Sequence, residues 1–178
     1  MPHFAVSAIG LDRPGIVAAV TGFLLDQGCN LEDSSMSVLR GHFAMMLVVA
    51  GPDTLTAGAL EADFSGTAAD LDLVVAVRAI DDSVPPPLPG ERWTVAVYGA
   101  DRPGIVHDVA ELLAARSINV VDLTTHLIGD SDRPVYAMVL EVTVPSGIDG
   151  DEISGALAAA GRDLGVDCSM HRADADVL

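Results

Sequence analysis

Six consecutive residues, Asp12-Arg13-Pro14-Gly15-Ile16-Val17, recur unchanged as Asp101-Arg102-Pro103-Gly104-Ile105-Val106, 89 positions further on. Identity over six positions at one spacing marks a duplication. It restricts the fold to one that a unit of about 80 to 90 residues can build twice. Each copy follows a short apolar run and opens a stretch of helical periodicity, so each hexapeptide is a strand-to-helix turn. In the first copy Ile16, Val17, Val20, Phe23 and Leu24 share one helical face, and in the second Ile105, Val106, Val109, Leu112 and Leu113 do. Pro14 suits a helix start, and Asp12 is expected to cap the helix by accepting from the Gly15 N–H. Gly28 ends the first helix, and Ser117 stands in its place in the second copy.

The pattern after the turn repeats as well. Strands are expected over Asn30–Leu39 and His42–Val49, matched by Asn119–Ile128 and Val135–Val144. The second hairpin carries four extra polar residues around Gly129–Arg133. A helix through Leu60, Phe64, Ala68 and Leu71, matched by Ile153, Leu157, Ala160 and Leu164, precedes a last strand over Leu73–Ile80 or Val166–Arg172. The order β-α-β-β-α-β is the ferredoxin-like arrangement, an α+β fold of antiparallel sheets with helices on one face. The expected domains are 1–82 and 92–173, with a stiff proline-rich spacer over 83–91 and an acidic tail over 174–178. Both faces of the strand over His42–Val49 are apolar, whereas Glu141 stands at the position of Val48. The outer sheet face of the first unit is therefore expected to meet another surface, in unit two or in a second chain. Units this small are marginal alone, which favours a homodimer.

Composition narrows the function. Half of the residues are apolar, and the net charge is −17 from 26 acidic and nine basic residues, all nine arginine. A chain this acidic has no basic patch for nucleic acid or for an anionic membrane. The absence of lysine removes Schiff-base chemistry and the P-loop lysine. No signal peptide or membrane span is legible, so the chain is read as cytoplasmic. Cys29 and Cys168 form no Cys-x-x-Cys pair, and Cys29 aligns with Ile118 as a small buried hydrophobe. The five histidines form no recurring metal-ligand spacing, so neither metal nor cofactor is expected. His107-Asp108 in the second unit replaces Ala18-Ala19 of the first.

The Asp-Arg-Pro-Gly-Ile-Val turn, the helix after it and the strand openings Asn30–Asp33 and Asn119–Asp122 resemble ACT domains. Two in tandem resemble the glycine cleavage system transcriptional repressor group. The resemblance implies a regulatory module that binds an amino acid where two domains pair side by side, with the first strand-to-helix turn facing the ligand. It also implies action through a protein partner such as a transcription factor. The chemistry is compatible. The N–H groups of Gly15 and Ile16 can hold a carboxylate at the helix N-terminus, and Gly15 has no side chain to obstruct it. Asn30, Asp33 and carbonyls of a partner strand can take the ammonium. Gly104, Ile105, Asn119 and Asp122 have the same roles in the second copy. Arg13 and Arg102 either clamp a carboxylate or are solvated. Competing readings are a scaffold without ligand and an acylphosphatase-like hydrolase, with Arg13 holding phosphate; no nucleophile beside a base supports the latter.

Overall fold

The computed structural model describes residues 1–81, 89–128 and 135–173. The chain forms two compact units, Met1–Pro85 and Pro86–Leu178. The first consists of β1 (His3–Leu11), α1 (Ile16–Asp26), β2 (Asn30–Leu39), β3 (His42–Ala50), α2 (Ala57–Asp70) and β4 (Leu73–Ile80). The second repeats it as β5 (Gly90–Ala100), α3 (Ile105–Ala114), β6 (Asn119–Ile128), β7 (Val135–Pro145), α4 (Gly150–Leu164) and β8 (Val166–Arg172). The sheets run β2-β3-β1-β4 and β6-β7-β5-β8, antiparallel throughout. This is the expected pair of ferredoxin-like units. β5 starts at Gly90, inside the stretch expected as spacer. The spacer prolines 85–87, the loop expected at 129–133 and the tail 174–178 lie outside the described residues.

Alternation along the strands places the core. Phe4, Val6 and Ala8 of β1 and Phe43, Met45, Leu47 and Val49 of β3 are buried beneath Ile16, Val20 and Leu24 of α1 and Leu60, Phe64 and Ala68 of α2. The helices join through Phe23 and Phe64, whose rings stack 4.3 Å apart. Val17, expected on the buried face, is exposed, as is Val106 in the second unit. Five apolar positions make a wider stripe than the sheet covers, and these two lie at its margin. In unit two the core gathers Val95, Val97, Ile105, Val109, Leu113, Met138, Leu140 and Leu157.

The turns follow the duplication. The β2–β3 hairpin closes through Arg40 and Gly41, both at positive φ, as a two-residue turn matching the strand twist requires. Ser117 adopts φ 58° where Gly28 adopts 70°. It fills the glycine's conformation at a cost the surrounding structure carries.

Outside the cores, the sheet faces away from the helices differ between units. Met46 and Val74 are exposed in the first. In the second, Glu141, the counterpart of Val48, meets Arg92 at 3.3 Å. The edge strands are also open. Every residue of β2 and all but Val120 of β6 are exposed. Each edge has a bulge at the same place, between Leu31 and Asp33 and between Val120 and Asp122.

Candidate functional site

The repeated turn was expected to be capped by Asp12, and it is not. The residue at the N-cap is Gly15, in the left-handed region at φ 97° and ψ −12°, and no side chain caps the helix. Glycine reaches that conformation without steric cost. Pro14 stands two residues ahead of the first helical residue, Ile16. Asp12 instead donates its backbone N–H to the Gly41 carbonyl at 2.9 Å, tying the turn to the β2–β3 hairpin. The first i→i+4 bond of the helix runs from the Ala19 N–H to the Gly15 carbonyl. The N–H groups of Ile16, Val17 and Ala18 therefore have no intrahelical acceptor. A Cβ placed on Gly15 would meet nothing within 4 Å. In front of the turn is a cleft of about 480 Å³, lined by Asp12–Ala18 with Met36 of β2 and Phe43 of β3. Uncapped donors and the positive end of a helix dipole thus open onto accessible space, and both favour an anion there.

Each arginine of the repeated turn is tied to a carbonyl at the end of another helix, and Arg13 also lines the cleft. Arg13 Nη2 donates to the carbonyl of Asp70, the last residue of α2, at 2.8 Å, and Arg102 Nη1 to that of Leu164, the last of α4, at 3.3 Å. Each ties the start of one helix to the negative end of the other. A phosphate-holding role for Arg13 would have to compete with this tie to α2.

Nor are Asn30 and Asp33 at the turn of their own unit. Asn30 is level with Ala50 and His3, and Asp33 with Val48 and Ala5, whereas the turn follows Leu11. At about 3.3 Å per residue, Asp33 and Asp12 are roughly 20 Å apart along the sheet. Asn119 and Asp122 lie in the same way, level with Thr143 and Glu141 and far from Asp101. Each unit therefore presents its two halves of the expected site at opposite ends.

In the second unit the backbone repeats closely, with Gly104 at φ 100° and ψ −17°. Pro103 again precedes the N-cap, and Ile105 again begins the helix. Side chains differ. A Cβ on Gly104 would lie 3.7 Å from Asp108 Oδ2. His107 Nε2 is 3.9 Å from Glu111 Oε2, and the ligand atoms of His107, Asp108 and Glu111 all lie within 4.8 Å of one another. Tyr136 stands where Phe43 does in unit one, and burial together with the charge of Asp101 raises its phenol above the usual range. The cleft-wall residues Met36 and Phe43 escaped sequence reasoning. The alignment of Phe43 with Tyr136 was the available signal.

A larger hollow of about 580 Å³ runs between α2 and β4. Its one charged group, Glu61, already accepts from the Val77 N–H at 3.0 Å. It offers no convergent polar groups, and the turn cleft is the better candidate. Among the described residues, no helix is long and apolar enough to cross a membrane.

Comparison with known proteins agrees with the geometry. The ACT domain family model matches residues 3–78. The chain is 32% identical over 82 residues to the UPF0237 protein MMP0657 of Methanococcus maripaludis, covering 46% of this chain and 87% of that one. The chain belongs to the ACT-domain family. Other matches extend over both units. Over 172 residues the chain is 26% identical to the glycine cleavage system transcriptional repressor of Escherichia coli K12, covering 95% of this chain and 89% of that protein. The crystal structure of an unknown protein from Galdieria sulphuraria superimposes with a TM-score of 0.78 at 28% identity, covering 97% and 98% of the two chains. The second ACT domain, beyond the reach of the family model, is recognised by the repeated turn and by its strand order.

Proposed function

We propose that this tandem ACT protein is a non-enzymatic cytoplasmic regulator that binds a small amino acid, of the glycine or serine class, at the strand-to-helix turn. The reading is carried by the uncapped N–H groups behind Gly15, which open onto a cleft. A carboxylate suits those donors. Asp12, free of a capping role, lines the same cleft and suits the ammonium.

The separation of the turn from Asn30 and Asp33 gives pairing a purpose. If β2 lies antiparallel against β2 of a second chain, the two-fold axis exchanges the ends of the strand. Asn30 and Asp33 of the partner subunit then approach the turn that follows β1. A homodimer completes the site, while a monomer has only half of it. The fully exposed β2 edge supports such pairing. Binding at a seam of this kind favours one assembly over another, and so changes affinity for a protein partner such as a transcriptional regulator. The similarity to the glycine cleavage repressor supports that last step.

Calorimetric titration of the full chain with the twenty amino acids tests the reading. Heat is expected with glycine or L-serine, lost in Asp12→Ala and in Asn30→Ala while the melting temperature is kept. Absence of heat with every amino acid at millimolar concentration would overturn it.

A further inference from the structure

We infer that the second turn is closed to free carboxylates by Asp108, so that the chain takes one amino acid, at the Gly15 turn, and not two. The inference rests on the proposed binding reading and adds which of the twin turns carries it.

The backbones give no reason for a difference. Gly15 and Gly104 share the left-handed conformation, both helices start without a side-chain cap, and the first helical hydrogen bond is 2.9 Å in each. Sequence identity from Asp12 to Val17 likewise predicts equal sites. The difference comes from the next turn of the helix. Positions 18, 19 and 22 are Ala, Ala and Gly, and the corresponding positions 107, 108 and 111 are His, Asp and Glu. A Cβ on Gly15 would meet nothing within 4 Å, whereas a Cβ on Gly104 would lie 3.7 Å from a carboxylate oxygen of Asp108.

That oxygen has two effects on an incoming zwitterion. It brings an anion to the first turn of α3, beside the uncapped N–H groups that the ligand carboxylate would take. It also faces that carboxylate at a few ångströms, where like charges repel. Glu111 adds a second negative charge within 4.8 Å of the first. Its neighbour His107 contacts it at 3.9 Å from an exposed position. Asp101, the counterpart of Asp12, is near enough to act on the Tyr136 phenol. The unit-one cleft is lined by one carboxylate, Asp12, whereas the unit-two turn has Asp101 and Asp108, with Glu111 beside the latter.

Asp108 is thus a specificity-determining residue, and Ala19 is its permissive counterpart. A reciprocal exchange tests this by calorimetry, with glycine and L-serine as probes and thermal melts to confirm folding. Wild-type protein is expected to bind one amino acid per chain. Ala19→Asp is expected to weaken binding roughly tenfold or more. Asp108→Ala is expected to raise the stoichiometry to two per chain. The double variant, Ala19→Asp with Asp108→Ala, is expected to bind one again, at the second turn. Two sites in wild-type protein, or a single site that persists in Asp108→Ala, would overturn the inference and leave the amino-acid reading standing. Absence of binding in both wild-type protein and Asp108→Ala would overturn that reading and this inference with it.

Discussion

Arg13 reaches across the unit to donate to the carbonyl oxygen of Asp70 at 2.8 Å. The bond makes the arginine of the repeated turn a brace between helices. Arg13→Ala is expected to lower stability by about 0.5–1 kcal/mol, the usual size of an exposed cation at a helix C-terminus. Urea denaturation would measure it. Affinity for glycine or serine is expected to stay within about twofold, since the guanidinium is held by the Asp70 carbonyl even though the residue lines the cleft. Lost affinity with stability intact would place Arg13 on the ligand instead.

Gly15 occupies φ 97°, a region that costs an L-residue roughly 1–2 kcal/mol. Nothing crowds a Cβ there, so backbone strain is the whole penalty for Gly15→Ala. A urea midpoint shift of that size is expected, whereas Gly22→Ala, in the helix and equally uncrowded, is expected to stabilise by about 1 kcal/mol. Equal effects at the two positions would refute the conformational argument.

The aromatic pair between the helices of unit one sets a third expectation. Phe64 is fully buried and stacks on Phe23. Phe64→Ala should cost about 3–5 kcal/mol, from lost transfer energy plus a cavity. Phe23→Leu, at a half-buried position, should cost less than half of that. Chemical denaturation of both variants would decide it.

Burial pushes the thiols of Cys29 and Cys168 above the usual range, and the charge of Asp167 adds to the second. The thiolate is the reactive species. Iodoacetamide at pH 8 is therefore expected to label both cysteines slowly in folded protein and readily in urea. The linkage has a definite sign. A raised folded value leaves stability unaffected below the ordinary thiol range and lowers it as pH climbs through and beyond that range, because the unfolded chain releases its protons first. Serine at both positions should flatten that alkaline decline.

Most of the fold was legible because the duplication allowed each element to be read twice. The strands over 30–39, 73–80, 119–128 and 166–172 were expected with the bounds they have. Periodicity decides such elements, since alternation and helical spacing reflect which face is buried. The turn was located correctly but its capping was not. Asp12 has the right chemistry for a cap, yet the N-cap position falls to Gly15, three residues on, while the Asp12 N–H ties the turn to Gly41 across a hairpin that no local pattern reveals. The same limit applies to Arg13, whose acceptor is 57 residues away. Asn30 and Asp33 were grouped with the turn on family resemblance, and strand register places them at the other end of the sheet. Sequence spacing reports what lies along the chain; which end of a sheet a residue occupies depends on strand direction.

The bulges at Glu32 in β2 and Val121 in β6 have a further effect. An uninterrupted ten-residue rim would let neighbours zip on at any offset, the route by which unguarded sheets grow into fibres. A kink near one end interrupts the regular run of backbone donors and acceptors, leaving a straight stretch of seven residues from Asp33 to Leu39 for a visitor to follow. Slippage toward that end by one or two residues would push that visitor into the kink. The irregularity thus acts as a doorstop at one end of each rim, opposing slippage in that direction on a chain that carries two such rims.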